Sequence, residues 1–79
     1  MNADERAATI NQMVEGLAAR LEEDGSDLEG WRRLVRAYVV LGKRDQAVEA
    51  LGDARRNFAS DPKALASLNA LAKDLGLQG

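Results

Sequence analysis

A shift of 34 residues lays this chain over itself, so that Gln12, Val14, Glu15 and Leu17 fall on Gln46, Val48, Glu49 and Leu51. The same shift sets Ser26-Asp27 on Ser60-Asp61, Leu34 on Leu68 and Leu41-Gly42 on Leu75-Gly76, which gives every quarter of the sequence a counterpart. A fixed period of that length marks stacked helix pairs, because one pair cannot bury its apolar face alone. Such arrays do little chemistry of their own and present a grooved surface to another protein.

Size sets the limits of stability. A chain of 79 residues is one domain, and chains this short bury only about 60% of the surface that their unfolded form exposes. With 46% hydrophobic and 30% charged residues, it is far from the disordered class and is expected to fold alone. A formal charge of -2 gives no general attraction to nucleic acid or to an anionic membrane. No apolar run approaches the roughly 20 residues of a membrane span, and no signal-peptide pattern is read at the start. The chain has neither cysteine nor histidine. A disulfide scaffold is thereby excluded, and the commonest general base, the best nucleophile and the preferred zinc ligands are missing.

Breaks at Asp24-Gly25-Ser26-Asp27, Gly42-Lys43-Arg44 and Ala59-Ser60-Asp61-Pro62 divide the chain into four helical segments. The first, from about Asp4 to Glu23, carries Ile10, Met13, Val14, Leu17, Ala18 and Leu21 at steps of three and four, one apolar stripe. Ser26 is expected to cap the second helix, with Glu29 completing a capping box. That helix runs from about Leu28 to Leu41 and stacks Trp31, Leu34, Tyr38 and Leu41, with Gly42 as its left-handed stop. The third, from about Asp45 to Phe58, is expected to bury Ala47, Val48, Leu51, Ala54 and Phe58. The fourth starts with Asp61 as N-cap and Pro62 at the first helical position, then sets Leu65, Leu68, Leu71, Ala72 and Leu75 on one face before a Gly76-Leu77 stop. Close packing is the expected reason for the helix-interior glycines Gly16, Gly30 and Gly52.

Trp31-x2-Leu34-Val35-x2-Tyr38, followed by Ala47 and Leu51, resembles the tetratricopeptide repeat pattern. Val35 stands where a small residue is usual, Leu51 replaces an aromatic, and the expected proline near Ala59 is displaced to Pro62. The resemblance covers a half repeat over about 4–24, a full repeat over about 28–58 and a capping half repeat over about 61–76 of a single 1–79 domain. It implies an all-α, right-handed stack of four antiparallel helices, the second and fourth lining a shallow concave face. The wording between those positions is more particular. Met13-Val14-Glu15-Gly16-Leu17-Ala18-Ala19-Arg20-Leu21, then Asp27-Leu28-Glu29-Gly30-Trp31-Arg32-Arg33-Leu34 and Arg36-Ala37-Tyr38-Val39-Val40-Leu41-Gly42, is similar to the C-terminal domain of the bacterial cytochrome c-type biogenesis family. That similarity implies a domain held in the periplasm by an N-terminal inner-membrane part. There it would bind the C-terminal helix of apocytochrome c for the other subunits of the haem-ligation complex.

The residues themselves point the same way. Trp31 and Tyr38 read as core, since aromatics at this spacing on a helix face the interior. Lys43-Arg44 and Arg55-Arg56 read as solvated charges with local ion pairs. Arg32 and Arg36 lie four apart on the inner side of the second helix, beside Val39 read as exposed and with Val40 at the margin. Arg32, Arg36, Val39 and Val40 are therefore the expected peptide-binding residues, with an amphipathic helix or an extended terminus as their ligand. No carboxylate pair, phosphate loop or metal cluster is present, so neither an enzymatic activity nor a cofactor is expected. A monomer is expected. The rival is a scaffold whose apolar strip contacts a second copy or the rest of its own chain, and gel filtration separates the two.

Overall fold

The computed structural model describes residues 3–77, with side chains from residue 9 onward. Its elements are four helices, α1 (Ala3–Glu23), α2 (Leu28–Val40), α3 (Arg44–Asn57) and α4 (Pro62–Leu75), and no strand occurs among the described residues. This is the expected all-α helical-repeat stack. Helix α2 is the hub, packing most extensively on α3 and also touching α1 and α4, while α3 touches α4 as well. The core runs through the stack from Val14 and Leu21 to Leu71 and Leu77, with Leu34, Val35, Leu51 and Leu68 fully enclosed.

The helix boundaries follow from local chemistry. Asp27, not Ser26, caps α2: its Oδ1 accepts from the Gly30 N–H at 3.0 Å. Ser26 is occupied elsewhere, since its N–H and hydroxyl both donate to Oδ1 of Asp24, at 3.1 and 2.6 Å. Those bonds, the hydroxyl's first, hold the Asp24 carboxyl below the usual carboxylate range. Asp61 caps α4 as expected, accepting from the Ala64 N–H at 3.1 Å, with Pro62 at the first turn. Both α2 and α4 end alike. The Gly42 N–H donates to Val39 and the Lys43 N–H to Tyr38, and 34 residues on, Gly76 donates to Lys73 and Leu77 to Ala72. This pairing of a short and a long bond is the Schellman ending, and it requires the left-handed backbone found at Gly42 (φ 74) and Gly76 (φ 68).

Gly42→Ala is accordingly expected to destabilise the chain by about 1 kcal/mol or more, because a Cβ is penalised in that conformation. The control is Gly52→Ala. It lies inside α3, where an added Cβ would meet only the Arg56 guanidinium at 3.8 Å, so it should stabilise by up to about 1 kcal/mol. Thermal melts of the two variants should therefore move in opposite directions, and a rise for Gly42→Ala would contradict the turn.

Close packing explains only one of the helix-interior glycines. A Cβ on Gly30 would meet Asp27 Oδ2 at 2.6 Å and Leu21 Cδ2 at 3.1 Å, so this glycine lets α1 and the cap approach α2, whereas Gly16 has nothing within 4 Å. The apolar stripes also need correction. In α1, Val14 and Leu21 are buried, but Ile10 is exposed and Met13 is 70% exposed. In α3, Val48 is 44% exposed and Ala50 is buried in its stead. The core stripe there is Ala47, Ala50, Leu51 and Ala54, spaced i, i+3, i+4, i+7, and Val48 sits about 60° beyond its edge at Leu51.

Several of the basic residues tie the stack together. Lys43 Nζ donates to Asn11 Oδ1 at 2.8 Å, joining the α2–α3 turn to α1, and Arg55 Nη2 donates to Asn69 Oδ1 at 2.9 Å, joining α3 to α4. Arg44 donates to the Gly76 carbonyl at the end of α4, and Arg56 pairs with Asp53 within α3.

Candidate functional site

At 100° per residue, Trp31, Leu34, Val35 and Tyr38 span the side of α2 turned to the core, and Arg32, Arg36 and Val40 follow one another around toward solvent. The structure agrees with that order. Val40 is 74% exposed and Arg36 is exposed. Arg32 is half-buried: Nη1 lies 3.6 Å from Glu29 Oε2, and its Nε is enclosed with no hydrogen-bond partner. Val39 departs from expectation, because it is half-buried and packs against the core, between the directions of Val35 and Arg32. The face therefore offers two guanidinium groups and one fully open valine, with Val39 as its floor. On α4, which packs beside α2, the residues 34 positions on from Arg32 and Arg36 are Ala66 and Ala70, both exposed and small enough for a second chain to lie close.

The aromatic pair is structural. Trp31 is buried and its indole N–H donates to the Gly25 carbonyl at 3.0 Å. Tyr38 is half-buried on a cleft shared with Glu22 of α1 and Glu49 of α3. Burial, and then the charges of Glu15, Glu22 and Glu49, push its phenol up, so it stays neutral at physiological pH. No cluster of possible metal ligands and no helix long and apolar enough to cross a membrane occurs among the described residues.

Over all 79 residues the chain is 51% identical to the cytochrome c-type biogenesis protein CycH of Bradyrhizobium diazoefficiens, and covers 21% of that protein. Over 77 residues, 98% of this chain, it is 52% identical to the CycH of Rhizobium meliloti and covers 20% of it. The chain is homologous to the C-terminal domain of the CycH proteins. It spans about a fifth of the length of these curated relatives. No protein-family model and no solved structure matches it.

One feature of the surface was not read from the sequence. Between α1 and α2 runs a groove of about 780 Å³, lined by Ile10, Met13 and Leu17 on one side and Gly30, Arg33 and Ala37 on the other. The apolar stripe of α1 places Ile10 and Met13 in the core, where the structure leaves both exposed. The signal that could have separated them is the internal repeat, since Met13 occupies the place of the small Ala47.

Proposed function

We propose that this domain is a non-catalytic helix holder in cytochrome c maturation, working in the periplasm as part of an inner-membrane-anchored protein. Its ligand is the C-terminal helix of apocytochrome c, presented to the other subunits of the haem-ligation complex. Homology to CycH supports the process. The observation that carries the docking face is Val40, 74% exposed on the same solvent-facing side of α2 as Arg36 and the half-buried Arg32. An amphipathic helix would set its apolar side on Val40 and Val39 and its acidic groups on the two arginines.

A domain this small offers an interface at the low end of the usual range, below about 1,200 Å² in total, so binding is expected to be micromolar. The test is titration of a fluorescent peptide of that helix at two salt concentrations, where the higher salt should weaken it. In the double variant Arg32→Glu, Arg36→Glu, shown by circular dichroism to be folded, affinity should drop at least tenfold. Unchanged affinity would remove this face as the site.

A further inference from the structure

We infer that Asp24 is the residue at which this chain isomerises spontaneously to a β-linked isoaspartate, and that the bonds from Ser26 hold this reaction back in the fold. Asp24-Gly25 is the only Asp-Gly pair in the chain, and no Asn-Gly occurs. Such a pair is open to attack by its own backbone, because glycine has no Cβ to hinder the approach of its amide nitrogen and leaves the link free to turn. It lies in the turn between α1 and α2, where Asp24 is exposed. The other aspartates and asparagines of the described residues lie in helices or cap them, each followed by a residue with a side chain. The fold itself requires the glycine. A Cβ at Gly25 would overlap the side-chain amide of Asn57, and that amide is held by its own bond to the Asp53 carbonyl at 2.9 Å. The repeat supplies no second copy, since 34 residues on Asp24 and Gly25 become Phe58 and Ala59.

The reaction needs no partner. The Gly25 nitrogen attacks Cγ of Asp24, an N–Cγ bond forms, and the carboxyl hydroxyl leaves with the amide proton as water. The cyclic imide then takes up one water. Opening at Cγ restores aspartate, whereas opening at the former backbone carbonyl breaks its bond to the Gly25 nitrogen and leaves the chain running through Cγ beside a free α-carboxylate. Only a protonated carboxyl has a hydroxyl to lose in the first step. The Ser26 N–H and hydroxyl, both donating to Asp24 Oδ1, favour the ionised form and so keep that group scarce. The product also fits the turn badly. It adds a backbone methylene between the Asp24 N–H, which donates to the Arg20 carbonyl at 2.9 Å, and the Gly25 carbonyl, which accepts from the Trp31 indole at 3.0 Å. Both restraints exist only while the chain is folded.

The test is to hold the full chain at neutral pH and body temperature for weeks, folded and in denaturant, and to locate isoaspartate by electron-transfer fragmentation of the tryptic peptide 21–32 and its neighbours. Product is expected at Asp24 before any other residue, and at least tenfold more slowly in the fold than in denaturant. Ser26→Ala removes the hydroxyl bond at an exposed position and should still fold, which circular dichroism checks. It is expected to age at least threefold faster than the parent while folded and alike in denaturant, which separates lost restraint from an intrinsic effect of the substitution. Ser26→Thr keeps the hydroxyl and should stay within twofold of the parent. Asp24→Glu, whose longer side chain closes the ring poorly, should give no product at this position. The inference is overturned if isoaspartate forms first elsewhere, if the denatured chain gives none at Asp24, or if the folded parent ages as fast as the denatured one. It is equally overturned if folded Ser26→Ala ages no faster than the parent, or if Ser26→Thr ages as fast as Ser26→Ala.

Discussion

Trp31→Ala is expected to leave the chain largely unfolded at room temperature. Truncating a buried tryptophan to alanine costs about 3–5 kcal/mol, and a domain of this size sits near the low end of the usual total of about 5–15 kcal/mol. Two further facts place this variant at the severe end. Trp31 belongs to α2, the helix that touches all three others, so its loss is felt on every side. Its indole N–H also satisfies the Gly25 carbonyl in the turn between α1 and α2, and truncation removes that bond. Trp31→Phe separates the contributions, since it keeps an aromatic body and loses only the donor, and should retain most of the helicity. Circular dichroism showing full helicity and an unchanged melting temperature for Trp31→Ala would mean that the ring does not hold the stack together.

What the sequence made legible is the part of the fold that depends on nearest neighbours. Capping by Asp61, the left-handed stops at Gly42 and Gly76 and the burial of Trp31 all come from chemistry within one turn or one helix pair. Where local alternatives competed, the reading slipped: Ser26 and Asp27 are both good caps, and the bonds from Ser26 to Asp24 decided the matter. The larger errors have a different cause. Met13 and Val48 are both apolar at helical spacing, yet both are exposed, because a repeat position is buried only where the adjacent repeat covers it. Met13 shares its place with Ala47, which α2 covers from the preceding side. Val48 shares its place with Val14, which is buried. Periodicity assigns both members of each pair to one class, and only the set of neighbours tells them apart. The same limit applies to the docking face. The direction of Arg32, Arg36 and Val40 followed from 100° per residue, but the partial burial of Val39 depends on how closely its neighbours pack, which no spacing rule contains.

Leu68→Ala is expected to cost about 2–5 kcal/mol and to show how cooperative the stack is. Leu68 is fully enclosed, and in the internal repeat it stands in the place of Leu34, which is also buried. The two leucines differ in what surrounds them, since α4 touches only α2 and α3, while α2 is held on three sides. In a quasi-one-dimensional array, damage to a flanking helix is borne first by that helix and its one interface. Amide hydrogen exchange on Leu68→Ala should therefore show protection lost first over Pro62–Leu75, with the bond from Arg44 to the Gly76 carbonyl released alongside. Amides at the α2–α3 interface, around Leu34 and Leu51, should keep more of theirs. Uniform loss across all four helices at the same free energy would show that the stack melts as one unit, with the α2–α3 pair unable to stand without α4.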